Sequence, residues 1–179
     1  MKRILFLIYG LTITSLNAQK HDYVWVTGQG NQFNHPDFGG TTIDFNNNAV
    51  LVYYDHRELN FGSVNSSICD SSGQLLFYTN GCSISGANDT LLENGDNINP
   101  GELHDKFCYS QYTTGYVSGR QSVITLPMPT LLSEYFIFHL GIENIAQPTG
   151  GQTARATRLY YSKSSLNVDN DQWTKKKKN

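Results

Sequence analysis

The chain has 179 residues, 16% of them charged, and a formal net charge of −2. Of its 13 basic residues, two fall within residues 1–18 and four in the run 175–178, so the body sets seven basic against 15 acidic residues and carries −8. That balance excludes the basic surface a nucleic-acid partner needs, and no apolar run reaches the about 20 residues of a membrane-spanning helix.

Residues 1–18 read as a signal peptide. Lys2 and Arg3 give a charged start, residues 4–13 an apolar centre, and Ser15-Leu16-Asn17-Ala18 a cleavage site ending on a small side chain. Export would leave Gln19 first and 161 residues, enough for one domain with its own core. From His21 onward the chain is rich in Gly, Asn, Ser, Thr and aromatics. It breaks into short strand-like runs at 23–26, 41–45 and 49–54, the first two separated by a Gly/Asn loop over 28–40. The cluster Asp55-His56-Arg57-Glu58 follows. It gathers an acid, a base and a cation, but its place just after a strand predicts a solvated turn rather than a catalytic centre.

The centre of the pattern is the hairpin of 64–69 and 75–80, joined by Asp70-Ser71-Ser72-Gly73. Asp and Ser bond the backbone just ahead of them, and Gly73 can take positive φ. Along the second strand, side chains alternate faces, with Leu75, Phe77 and Thr79 on one and Leu76, Tyr78 and Asn80 on the other. Neither face suits water. No long window shows the three-four spacing of an amphipathic helix that would cover such a strand, so stacked antiparallel sheets are expected. A sandwich strand with one wet aromatic face is the alternative.

A polar loop follows, in which Asp89, Glu93, Asp96 and Asn97 offer oxygen donors without the spacing of a calcium loop. It predicts a plain turn and no metal. Residues 100–119 read as an irregular excursion. A second strand group then appears at 121–126, 134–140 and 158–162, with a turn at Pro127-Met128-Pro129 and a loop holding Pro148, Gly150 and Gly151. Leu75-Leu76-Phe77-Tyr78-Thr79 and Tyr135-Phe136-Ile137-Phe138-His139 hold corresponding places 60 positions apart, a recurrence expected of propeller blades carrying loop insertions. His139 reads as a packed side chain. Two such units cannot close a ring of at least four blades. Residues 19–174 are therefore expected to be an incomplete β-propeller-like region, with the lysine-rich end 175–179 a truncation.

Cys69, Cys82 and Cys108 permit one disulfide in an exported protein or, equally, three small buried side chains. Their spacing is not that of a zinc site. Glycoside hydrolysis would need two carboxylates about 5–10 Å apart, and Asp44, Asp55, Asp70 and Glu134 lie near strand ends, the candidates for such a pair. The Asp70 hairpin departs from a sialidase Asp-box, because two residues separate Asp70 from Gly73 and no matching second box exists. No catalytic, cofactor-binding or metal-ligating set stands out.

Trp25, Thr42-Ile43-Asp44-Phe45, Ser66-Ser67-Ile68-Cys69-Asp70 with Gly73-Gln74-Leu75-Leu76-Phe77-Tyr78-Thr79-Asn80-Gly81, Gln121-Ser122-Val123-Ile124, Glu134-Tyr135-Phe136-Ile137-Phe138 and Leu159-Tyr160-Tyr161-Ser162 together resemble the opening of a family of large exported Bacteroidetes surface proteins. The resemblance implies a propeller-like start followed in the family by PKD modules and a C-terminal sorting domain read by type IX secretion or linked to gliding motility. It implies an extracellular or outer-surface protein, periplasmic if the sorting domain is lacking. Its partners would be a glycan or a surface protein, together with the secretion machinery, and it supplies no catalytic residues. The expectation is an all-β, non-enzymatic adhesion or interaction module of a larger surface protein. A glycan-active enzyme on a propeller scaffold is the alternative.

Overall fold

A computed structural model describes residues 19–28, 39–62, 64–108, 115–116, 121–129, 131–167 and 172–176. The leader expected at 1–18 lies outside them. Among the described residues the fold is all-β: ten strands in three antiparallel sheets and one six-residue helix. Sheet 1 runs β1 (Val24–Gly28), β2 (Gly40–Asp44), β3 (Leu51–Asp55). Sheet 2 runs β4 (Ser66–Cys69), β5 (Leu75–Thr79), β6 (Ile84–Gly86), and a single bridge from Ser85 to Leu91 extends it. Sheet 3 runs β7 (Val123–Met128), β8 (Leu131–Ala146), β9 (Gln152–Asn167), β10 (Gln172–Lys176). Each sheet is a meander in chain order.

The first strands of the three sheets lie side by side. Between sheets 1 and 2, the Cys69 amide donates to the His21 carbonyl at 2.8 Å and the Ser67 hydroxyl to the Val24 carbonyl at 2.8 Å. Between sheets 2 and 3, the Thr125 amide donates to Ser66 Oγ at 3.1 Å. The sheets therefore fan outward from β1, β4 and β7.

The hairpin turn forms as its residues require. Asp70 Oδ1 accepts from the Ser72 amide, the Ser72 hydroxyl and the Gln74 amide at 2.7–3.0 Å. Gly73 sits at φ 94°, and a Cβ there would meet Asn46 Oδ1 at 2.1 Å, because the Asn46 amide crosses from the β2–β3 turn to donate to the Gly73 carbonyl. Beyond the turn, β5 is covered on both sides. Phe77 meets Tyr135 of sheet 3 edge to face at 5.7 Å, and Tyr78 meets Phe61 on the sheet 1 side at 5.5 Å. Val64, Ile68, Phe77, Ile84, Val123, Tyr135 and Ile137 close the core between sheets 2 and 3. Val24, Val26, Leu59, Phe61, Cys69 and Tyr78 close the one between sheets 1 and 2.

The recurrence at 60 positions is real in the topology, for β5 and β8 are each the second strand of their sheet. Several expectations need correction. Pro127 and Met128 belong to β7 rather than to a turn, because the bulge between them and β8 removes the need for a ladder donor at proline. Lys175 and Lys176, assigned to the lysine-rich end, instead pair along β9 as the last two residues of β10. The excursion at 100–119 holds helix α1 (Glu102–Phe107), too short to show periodicity in sequence.

Candidate functional site: a cleft of tyrosines, carboxylates and an amide

Where β8 passes Leu140 it continues through Gly141 to Ala146, and α1 crosses beside it. Between them lies a cleft of about 340 Å³, at the lower end of the size range of small-ligand sites. Pro100, Gly101 and Glu102 form the helix side, while Gly141, Ile142, Glu143 and Asn144 form the strand side. Tyr116 and Tyr160 close it.

Each wall is held for a local reason. α1 buries Leu103 beside Cys82, Tyr116 and Ile142, and its C-terminal neighbour Cys108 is disulfide-bonded to Cys82. A helix of six residues cannot persist on its own in water. The disulfide and the buried leucine hold it. Tyr116 is buried, and its hydroxyl accepts from the Ile142 amide at 3.1 Å, joining the floor to β8. Burial pushes that hydroxyl above its ordinary pKa, against the lowering effect of the Ile142 amide. Gly141 admits the ring of Tyr160, which a Cβ there would meet at 2.6 Å.

The rim is polar. Asn144 Nδ2 donates to Glu102 Oε1 at 3.4 Å, and Arg158 lies 3.9 Å from Glu143 while donating to the Tyr160 hydroxyl at 3.3 Å. Glu102 and Glu143 are both exposed. Tyr160 offers a ring face, the two carboxylates accept hydrogen bonds, and Asn144 and Arg158 donate them. These groups are of the kind that can stack on a ring and exchange hydrogen bonds with hydroxyls.

Beneath Tyr160 lies a buried polar chain. His139 stacks at 5.7 Å from Tyr160, its Nδ1 is 2.6 Å from Asn99 Oδ1, and its Nε2 is 3.2 Å from Ser162 Oγ. Asn99 Nδ2 donates to the Gly81 carbonyl at 3.0 Å, which turns its oxygen toward the histidine and leaves the ring proton on Nδ1. The order of groups is that of nucleophile, base and orienting amide. All three are buried within the junction of sheets 2 and 3, where they join β8, β9 and the turn after β5. His139 is packed, as its sequence context predicts.

The four acids singled out in sequence are not gathered. Asp44 accepts from the Asn46 amide at 2.7 Å, Asp70 holds its own turn, and Glu134 pairs with Lys163 at 2.7 Å. Asp55 sits at the far end of sheet 1 from Asp44, opposite Gly40, and pairs with Arg57. That pairing corrects the solvated-turn reading of the cluster at 55–58 for Arg57, while the side chains of His56 and Glu58 stay in solvent. Arg57 is only 6% exposed and reaches from sheet 1 to the Ala87 carbonyl at 3.2 Å and to Asp89 at 3.4 Å, with its guanidinium over the Tyr78 ring. Asp89, weighed as a calcium donor, also accepts from the Tyr78 hydroxyl. Burial, with that hydrogen bond to Asp89 as a second cause, holds Tyr78 well above the ordinary tyrosine pKa.

Glu102 and Glu143, the acids that do share a cleft, were not singled out in sequence. They stand 41 positions apart and meet through the packing of Leu103 and a disulfide whose partners three cysteines leave undecided. No protein-family model, curated protein or solved structure matches the chain.

Proposed function

We propose that this chain is a non-enzymatic exported or cell-surface interaction module, built as a propeller-like array of antiparallel blades, whose cleft binds a glycan. The observation that carries the reading is the cleft at α1 and β8. A tyrosine ring face stands beside two exposed carboxylates, an amide and an arginine, groups that stack on a sugar ring and bond its hydroxyls. The propeller-like arrangement is supported by three meanders that spread from adjacent first strands. Export is supported by the disulfide, which persists in oxidising compartments. Membership of the Bacteroidetes surface-protein type, and a place within a larger protein, rest on the sequence resemblance.

Glu102 and Glu143 also favour a second reading, a glycosidase, since two acids share one cleft with an aromatic platform. A glycosidase acid must keep its proton near neutral pH, which takes burial. Both of these carboxylates are exposed.

Screening the purified chain against a glycan array, followed by calorimetric titration of the best ligand, tests the reading. Tyr160→Ala should weaken binding about tenfold or more, a loss of about 1.4 kcal/mol, without release of product. Binding that is indifferent to Tyr160 would refute the cleft. Turnover abolished by Glu143→Gln would replace the binding module with the enzyme.

A further inference from the structure

The two carboxylates of the cleft stand in different electrostatic settings. Glu143, on β8, lies 3.9 Å from the Arg158 guanidinium of β9, and register sets Arg155 of β9 directly opposite it. Its charge is met within the protein. Glu102, at the start of α1, lines the same cleft, and its Oε1 accepts from Asn144 Nδ2 at 3.4 Å. That partner is a neutral amide. Lys106 stands one helical turn on, where a cation could reach Glu102, but its ammonium lies over the Phe107 ring at 5.3 Å. No cation pairs with Glu102 among the described residues.

The rest of the cleft acts in the same sense. Tyr160 is 36% exposed above His139, and an aromatic ring face attracts a cation through its quadrupole. The −8 carried by the body of the chain adds a long-range attraction for positive ligands. Arg158 is the group that would favour an anion, but Glu143 and the Tyr160 hydroxyl already engage it. An acidic sugar would therefore meet Glu102 as a like charge. A neutral one would exchange hydrogen bonds and leave that carboxylate without a counter-charge.

We propose that the cleft selects glycans carrying free amino groups, with the ammonium of one sugar paired to Glu102 and lying against the Tyr160 ring. This inference rests on the glycan-binding reading of the cleft and names the class of sugar it takes. The ammonium supplies the charge that Glu102 lacks, and it can donate to the carboxylate while Asn144 keeps its own bond there. Acetylation of the amine removes that charge and so removes the basis of selection.

The test is calorimetric titration of the chain with short oligomers, equal in length, of glucosamine, N-acetylglucosamine and a hexuronic acid. At about pH 6, between the ordinary carboxylate and amine ranges, both partners of the proposed pair are charged. Water screens an ion pair in an open cleft, so the amine form should bind about fivefold tighter than its acetylated form, with the uronate weakest. Glu102→Gln, at an exposed position, should lower the amine form to the affinity of the acetylated one and leave the latter unchanged. Tyr160→Ala should weaken both. A preference for the amine that survives Glu102→Gln belongs to the net charge of the chain and overturns the assignment. Equal or tighter binding of the acetylated or acidic form, still weakened by Tyr160→Ala, overturns the assignment alone and leaves the cleft a glycan site. No binding of any of the three, nor of any glycan on the array, overturns both.

Discussion

Reduction of Cys82–Cys108 should loosen the cleft and lower the stability of the whole chain. The bridge spans 26 positions, and the chain-entropy relation for a closed loop of that length gives about 3.5 kcal/mol of stabilisation at 25 °C. For a chain of this size each kcal/mol moves the melting temperature by about 2–4 °C, so a shift of roughly 7–14 °C is expected. Reducing agent is a cleaner perturbation than substitution, since it keeps both sulfurs in place in a buried setting where a serine hydroxyl would lack a partner. Urea unfolding with and without reductant gives the free energy, and hydrogen exchange by mass spectrometry locates it. Exchange should rise first in α1 and around Tyr116, with β4, β5 and β8 following only at global unfolding. A loss below about 1 kcal/mol, or exchange that rises equally in all three sheets, would refute the idea that the disulfide holds the helix as the cleft wall.

Arg57→Met should cost about 2–3 kcal/mol. It leaves Asp55 and Asp89 facing each other without their cation, and their side chains, 30% and 24% exposed, recover only part of the loss from water. Adding Asp89→Asn should recover part of it, and a urea titration showing additive losses would refute the clamp. Cys69 should be inert: burial raises its thiol to about 11, so a thiol reagent at pH 8 should label no sulfur in the native chain and one after unfolding without reductant. Labelling of the native chain would contradict its burial. Alkali should unfold the protein between the ordinary tyrosine pKa and about 12, because burial raises Tyr135 to about 12. The stabilisation from its neutral buried form is present below the unfolded value and is lost as pH rises through the folded one. Absorbance near 295 nm should show late-ionising tyrosines whose titration coincides with the loss of sheet structure. For Asp70, burial works to raise the pKa but is outweighed by hydrogen bonds from Ser72, Gln74 and Gly73, and the net shift is downward. Its contribution is present above the ordinary carboxylate range and fades on acidification, so Asp70→Asn should flatten the acid limb of the stability profile.

What could be read in the sequence was what depends on neighbours in the chain. The Asp70 turn, the two-faced apolarity of β5 and the repeat of that strand at β8 are local patterns and appear in the structure, but a bulge opposite Cys69 sets Leu76 with Phe77 and Leu75 with Tyr78, against the strict alternation expected. What escaped depends on distant residues meeting. Arg57 has the sequence context of a surface turn, and only the approach of Asp89, 32 positions on, takes it out of water. The cleft acids are hidden for the same reason, and β8 runs on past Gly141 across a bulge that breaks its alternation.

The dipeptide Asn80-Gly81 bears on the lifetime of the protein as a chemical object. Asparagine followed by glycine is the sequence most prone to cyclise to a succinimide and then to aspartate or isoaspartate, through attack of the glycine nitrogen on the side-chain carbonyl carbon. Here the Asn80 amide donates to the Asn60 carbonyl, its oxygen accepts from the Cys82 and Ser83 amides, and the Gly81 nitrogen is engaged with Thr79 Oγ1. Asn94-Gly95 is the same dipeptide, and its glycine nitrogen also donates, to the Leu92 carbonyl at 2.7 Å, but its asparagine side chain is exposed. On long storage, the first isoaspartate should form at Asn94, leaving the junction of the sheets chemically young while the surface loop ages.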